Sequence, residues 1–221
     1  MKNLNIKPFI YLILIFSGVF WFSVAYIRGL NLSDVFDFFK VLPTVAIIDG
    51  VLIAIFIKWG WKLWIFKNWL VPFPNLNGTW EGAIKTTWTD PQTGQTPAPI
   101  PAILTIKQTF TKICCVMRTA EMTSYSFSED FKLESDNQLK QLSYSYTSKP
   151  LTTISDRSPV HDGSIVFEII GDPVQKLKGQ YWTARKTTGE IIMTFRCKDR
   201  LDEYPQELGS HPVGEQYSNR G

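Results

Sequence analysis

Twenty consecutive residues without a formal charge, Pro8 to Ile27, lie within the first thirty positions of the chain. At 1.5 Å per residue a helix of that length spans about 30 Å, the thickness of a bilayer's hydrocarbon core. A second apolar run of 17 residues, Val41 to Ile57, carries one charge, Asp49. Two such runs joined by a short loop, Arg28 to Lys40, read as a transmembrane helical hairpin. A cleaved signal peptide with Ser23-Val24-Ala25 as its processing site is the alternative for the first run alone. The length of that run and the second run directly behind it favour the hairpin.

The two ends of the chain differ in character. Residues 1–74 carry 7 Lys/Arg against 3 Asp/Glu and hold 17 of the 31 aromatic residues. Residues 75–221 carry 16 against 17. The overall charge of +3 excludes a polycation or an acidic tail protein, and 44% hydrophobic residues exclude a mostly disordered chain. Lys2 and Lys7 precede the first span, and Lys58, Lys62 and Lys67 follow the second. The positive-inside rule then places both termini in the cytoplasm. There Cys114, Cys115 and Cys197 are expected as reduced thiols. Residues 58–71, with Trp59, Trp61, Trp64 and Trp69 among the lysines, suit the headgroup layer and are read as a continuation of the second helix. Pro72 and Pro74 end that stretch. A carboxylate near the middle of a span costs about 2.5–3.5 kcal/mol on insertion scales. Asp49 therefore reads as a contact within the hairpin, an oligomer contact or a pore lining. Gly50 beside it permits close helix approach.

From Asn75 the hydrophobic period becomes two. Eight strands are predicted: 78–88, 101–110, 112–121, 129–134, 139–147, 163–170, 177–186 and 190–198. The fold expected of residues 75–198 is an all-β, eight-stranded, up-and-down antiparallel β-barrel, wide enough for side chains or one small ligand. Gly78, Trp80 and Gly82 share a face of the first strand, with Trp80 as the plug of a closed end. Tyr144 and Tyr146 are assigned to the interior, as are Tyr181, Thr183 and Arg185, which alternate on one face of the seventh strand. Buried phenols and a buried guanidinium need partners, some of which a ligand supplies. No HExxH, Walker loop, GxSxG or CxxC occurs, so neither catalysis nor a cofactor nor a metal is indicated. His161 and His211 fall in predicted loops. Residues 199–221 form a polar tail, expected to be poorly ordered.

Two spans followed by a β-rich domain that opens with Leu76-Asn77-Gly78-Thr79-Trp80-Glu81-Gly82 is a familiar order. With Leu177-x-Gly179-x-Tyr181-Trp182-Thr183-x-Arg185 and Thr188-Gly189-Glu190-Ile191, it resembles the two-transmembrane, β-strand-rich effectors of bacterial cyclic-oligonucleotide-based antiphage signalling (CBASS). The resemblance implies a minimal barrel that binds a cyclic dinucleotide made by a partner nucleotidyltransferase. It also implies self-association on binding, disruption of the inner membrane and abortive infection, with no enzymatic step.

Such a ligand has two flat bases and two phosphates. It asks for aromatic faces and for Arg, Lys or backbone N–H donors. Tyr144, Tyr146, Tyr181, Thr183 and Arg185 are the candidates, with Arg118 and Arg196 as further cations and Asp49 as the polar residue of the spans. The alternative function is a membrane-tethered, lipocalin-like carrier of lipid or a small apolar ligand.

Overall fold

A computed structural model describes residues 6–30, 34–91, 93–134 and 139–213. The chain divides into two units, one built from residues 4–73 with 109–111, the other from residue 74 onward without that turn.

In the first unit, α1 (Ile6–Ile27) and α2 (Val35–Lys58) pack as a hairpin. Ala25, Val41 and Val45 are buried between them, flanked by Phe20, Trp21, Val24 and Leu30. The ring of Trp21 meets that of Phe38 at 4.8 Å. Ile15, Phe22, Tyr26 and Phe36 point outward, each more than half exposed, a surface that suits a hydrocarbon solvent. Both helices are long and apolar enough to cross a membrane.

The loop is shorter than the charge pattern predicts. Asp34 caps α2 by accepting the Phe36 amide at 2.9 Å, so Asp37 and Lys40 fall inside the helix and pair at 2.6 Å. Asp49 makes a contact within the hairpin: Ser17 Oγ donates to its Oδ2 at 2.6 Å. Gly50 has nothing within 4 Å of where a Cβ would stand, so it brings no close approach within this hairpin. The second helix also ends earlier than predicted, at Lys58. Two 3₁₀ turns, Gly60–Lys62 and Trp64–Phe66, follow it. Trp59, Trp64 and Trp69 are exposed, whereas Trp61 is buried and packs 5.9 Å from Phe73.

The second unit is the predicted barrel. Among the described residues eight strands form it: β1 (Gly78–Thr86), β2 (Ile100–Gln108), β3 (Ile113–Arg118), β4 (Met122–Glu134), β5 (Leu139–Pro150), β6 (His161–Gly171), β7 (Val174–Thr183) and β8 (Thr188–Cys197). Each pairs antiparallel with the next, and β8 closes on β1. The third strand stops at Arg118 because Thr119 makes the turn, its amide bonding Met122 O and its Oγ1 accepting the Met122 amide. The fourth therefore starts at Met122, seven residues before its predicted start. Its Ser-rich first half is strand rather than turn, with a bulge between Ser126 and Ser128.

Period two holds on the inner face. Trp80, Leu104, Met117, Leu142, Phe167, Leu177, Ile191 and Met193 are all buried. One end is sealed. Trp80 Nε1 donates to Leu76 O at 3.0 Å, and its ring stands edge-on to Phe195 at 5.3 Å. Beneath it Asn77 and Gln108 clasp each other: Gln108 N donates to Asn77 Oδ1 at 2.8 Å, and Asn77 Nδ2 to Gln108 O at 2.9 Å. The Gln108 side chain accepts the Leu76 amide at 2.7 Å and donates to Pro74 O at 3.0 Å.

The segment after β8 is fastened, against expectation, as far as Gly209. Leu201 lies on the outside of the barrel, its amide donating to Thr79 Oγ1 and its carbonyl accepting from Thr105 Oγ1 at 2.7 Å and from Arg118 at 3.3 Å. Polar composition misled the reading here, because the outer faces of β1 and β2 carry threonines that bond backbone. Residues 214–221 lie outside the described residues.

Candidate functional site

The end of the barrel opposite Trp80 opens into a cavity of about 380 Å³. Ile84 and Thr86 of β1, Met117 of β3, Tyr146 and Ser148 of β5, Ile165 of β6, Tyr181 and Thr183 of β7 and Ile191 of β8 make its wall.

Sheet register explains how two tyrosines fit side by side in so small a barrel. Tyr146 stands opposite Gly163, and Tyr181 stands opposite Gly189. A Cβ on Gly163 would lie 2.5 Å from the Tyr146 hydroxyl, and one on Gly189 would lie 2.6 Å from Tyr181 Cε1. Each ring thus occupies the room its cross-strand glycine leaves. Burial pushes both phenols above the usual tyrosine value, so both are proton-bearing donors at neutral pH. A hydrogen bond with Thr86 pulls Tyr181 part of the way back.

Arg185 is a rim residue. The seventh strand ends at Thr183, three residues short of its predicted end, where the Thr183 amide bonds Thr187 O. Arg185 sits in the following turn and is exposed, yet it still lines the cavity. Its Nη1 donates to Ser158 Oγ at 2.8 Å, and its Nη2 approaches His161 Nε2 at 3.3 Å. His161 Nδ1 lies 2.9 Å from Pro159 O, so Nδ1 carries the proton and Nε2 accepts from Arg185. Burial lowers the His161 pKa, and the neighbouring guanidinium lowers it further. Burial also lowers Arg185 from its ordinary value, but it remains a cation. A partly desolvated guanidinium beside a neutral imidazole is a ready site for an anion.

A second polar group lies on the same rim. Glu121, at the start of β4, accepts from Arg157 Nη2 at 2.6 Å, and His211 Nδ1 stands 3.4 Å from its other oxygen. Sequence reading missed Glu121, Arg157, His211 and Val213 as cavity residues. They come from loops and from the segment after β8, where no periodicity marks the facing. Gly163 carried a signal, a glycine inside a strand pattern, which marks close approach.

Of the remaining candidates, Tyr144 lies deeper than the cavity. It is buried against Tyr146 and Phe167 at 6.1 and 6.2 Å, and its hydroxyl has no hydrogen-bond partner among the described residues. Burial holds its phenol well above the usual value. Arg118 and Arg196 do not line the cavity. Both alternate to the outer face, Arg118 on Leu201 O and Arg196 on the carboxylates of Glu81 and Glu207. His161 begins a strand rather than lying in a loop. Among the described residues no group of three or more His, Cys, Asp or Glu side chains is placed to hold a metal ion.

A family model described as "Cap15, cyclic dinucleotide receptor domain" matches residues 71–195, more than half of the chain. The chain belongs to the Cap15 cyclic dinucleotide receptor family. The matched Cap15 residues include β1 through Phe195 and the cavity wall just described. A curated relative is CD-NTase-associated protein 15 of Staphylococcus schleiferi, 26% identical over 133 residues. That alignment takes in 60% of this Cap15-family chain and 65% of the relative, so the chain spans just under two thirds of the relative's length.

Proposed function

We propose that this chain is a membrane-anchored receptor that binds a cyclic dinucleotide in the open end of its barrel. On binding, it self-associates through its helical hairpin and breaches the inner membrane, so that the infected cell dies. The observation that carries the reading is the convergence of Tyr146, Tyr181 and Arg185 on one cavity in a chain of the cyclic dinucleotide receptor family. The phenol rings offer faces for bases, and Arg185 offers a phosphate two parallel donors. Sensing of this kind needs no covalent chemistry. The charge pattern puts both termini in the cytoplasm, where a nucleotidyltransferase makes the signal.

Coupling follows from linkage. If the associated form binds ligand more tightly than the single chain, ligand favours association by the ratio of the two affinities. The test is calorimetry of the detergent-solubilised chain against cyclic di- and trinucleotides, with dye leakage from anionic proteoliposomes as the second readout. Binding with ligand-dependent leakage is expected. A chain that binds none of the panel would remove the reading.

The cavity also contains Met117, Met122, Ile165 and Ile191, an apolar patch that suits a carrier of lipid or a small apolar ligand. On that reading the purified protein yields a bound lipid by mass spectrometry, and Arg185 is dispensable for holding it.

A further inference from the structure

The segment from Asp199 to Val213 begins at the sealed end of the barrel and finishes at the open one. Its stem is bonded along the outer wall: Thr79 donates to Asp199 O at 2.6 Å, Leu201 is held three ways, and Glu207 pairs with Arg196 at 2.6 Å. The Tyr204 hydroxyl donates to Gly209 O at 2.9 Å and ends the fastened part. Gly209 has a φ of 89°, with nothing within 4 Å of where a Cβ would stand. It is a joint in open space that a residue with a side chain rarely adopts.

Beyond the joint the chain turns into the mouth. His211 and Val213 line the cavity, and Val213 is 7% exposed. The His211 ring accepts the Val213 amide at 3.3 Å and stands 3.4 Å from Glu121 Oε2. That approach is longer than any of the stem bonds just named, which run from 2.6 to 3.3 Å. Deeper in, Ser148, Met117, Tyr146, Tyr181 and Thr183 are each less than a tenth exposed, although they border empty volume. The tip therefore stands where any occupant of the cavity must pass. The family match ends at residue 195, before this segment starts.

We propose that His211–Val213 is a lid on the barrel mouth, swinging on Gly209, which opens to admit a ligand and closes over it with His211 against Glu121. The inference rests on the receptor reading for the identity of the ligand, but not for the movement. A lid slows both directions of exchange, so its removal raises association and dissociation rates together.

Accessibility tests the movement without any nucleotide. Ser124 lines the cavity, so Ser124→Cys, with Cys114 and Cys197 replaced by Ser, reports access of a thiol reagent to the interior in the otherwise complete chain. Removing residues 210–221 is expected to raise the labelling rate at least five-fold. The double substitution His211→Ala with Val213→Ala is expected to do the same in a chain of full length, which covers the case of a truncation that does not fold. An unchanged rate in folded protein overturns the lid. Stopped-flow binding of the cyclic dinucleotides then addresses the ligand. Both rate constants are expected to rise several-fold without the tip, and an association rate that stays the same overturns the lid. If labelling accelerates but no cyclic dinucleotide binds, the lid stands and the receptor reading falls.

Discussion

Gly163 is shaped around Tyr146. A β-carbon there would stand 2.5 Å from the phenol oxygen and 2.8 Å from the Trp182 carbonyl, the latter a backbone atom of the paired strand. Gly163→Ala is therefore predicted to tilt the Tyr146 ring and to cost about 1–3 kcal/mol, the usual range for overpacking. Denaturant unfolding measures the cost. Ligand titration of the same variant is expected to show weaker binding even where the barrel remains folded.

Arg185 supplies the cation of the rim. Arg185→Ala is predicted to weaken cyclic dinucleotide binding by about ten- to a hundred-fold, the equivalent of the 1.5–3 kcal/mol typical of a hydrogen bond to a charged group. Arg185→Lys should restore only part, since an ammonium lacks the planar fork. Arg196→Ala serves as the contrast. Its partners are Glu81 and Glu207 on the outer face, and affinity is expected to stay within a factor of two or so on calorimetry.

Acidification is predicted to loosen the rim. His161 faces Arg185 and Asp162, and His211 faces Glu121 and Arg157; burial lowers the pKa of both. Their folded values lie below the unfolded value near 6.5, so the fold prefers the neutral rings. That contribution to stability is complete above the unfolded value and is lost as the pH falls through the lower folded values. The melting temperature should drop between pH 7.5 and 5, and His161→Gln with His211→Gln should make the drop shallower. An identical pH slope in the double variant contradicts this.

At the sealed end, Gln108→Leu is predicted to strand the Leu76 amide and the Pro74 carbonyl together, at about 1–3 kcal/mol for each buried group left unpaired. Trp80→Ala is expected to cost about 3–5 kcal/mol, inside the range that the two stranded groups span together. Equilibrium unfolding ranks the two.

In the spans, Ser17→Ala removes the hydroxyl that bonds Asp49. An interhelical hydrogen bond in a membrane averages about 0.6 kcal/mol, so a small loss in detergent unfolding is expected. Asp49→Asn, which keeps an acceptor, should lose less than Asp49→Ala.

The barrel was legible because each strand repeats one decision, in or out, over six or more residues. Leu142, Tyr144 and Tyr146 announce an inner face by alternation alone, and Trp80 between Gly78 and Gly82 marks the closed end. The two long apolar helices were legible from length. Arg118 and Arg196 follow Met117 and Phe195 on strands whose alternate residues face inward, and their side chains pair outside the cavity, with Leu201 O and with Glu81 and Glu207. Glu121, Arg157 and His211 escaped because their position is set by tertiary contacts of turns and by the path of the chain after β8. The same limit explains the early start of β4. Ser124, Ser126 and Ser128 have the composition of a turn, yet each pairs with β5, the bulge falling at Phe127 between the last two.

The Asn77–Gln108 clasp beneath Trp80 gives the barrel a closed floor among the described residues. Below that floor the Gln108 side chain also holds the Pro74 carbonyl. On the receptor reading, a guest bound at the rim would be felt at that clasp through the strands between them.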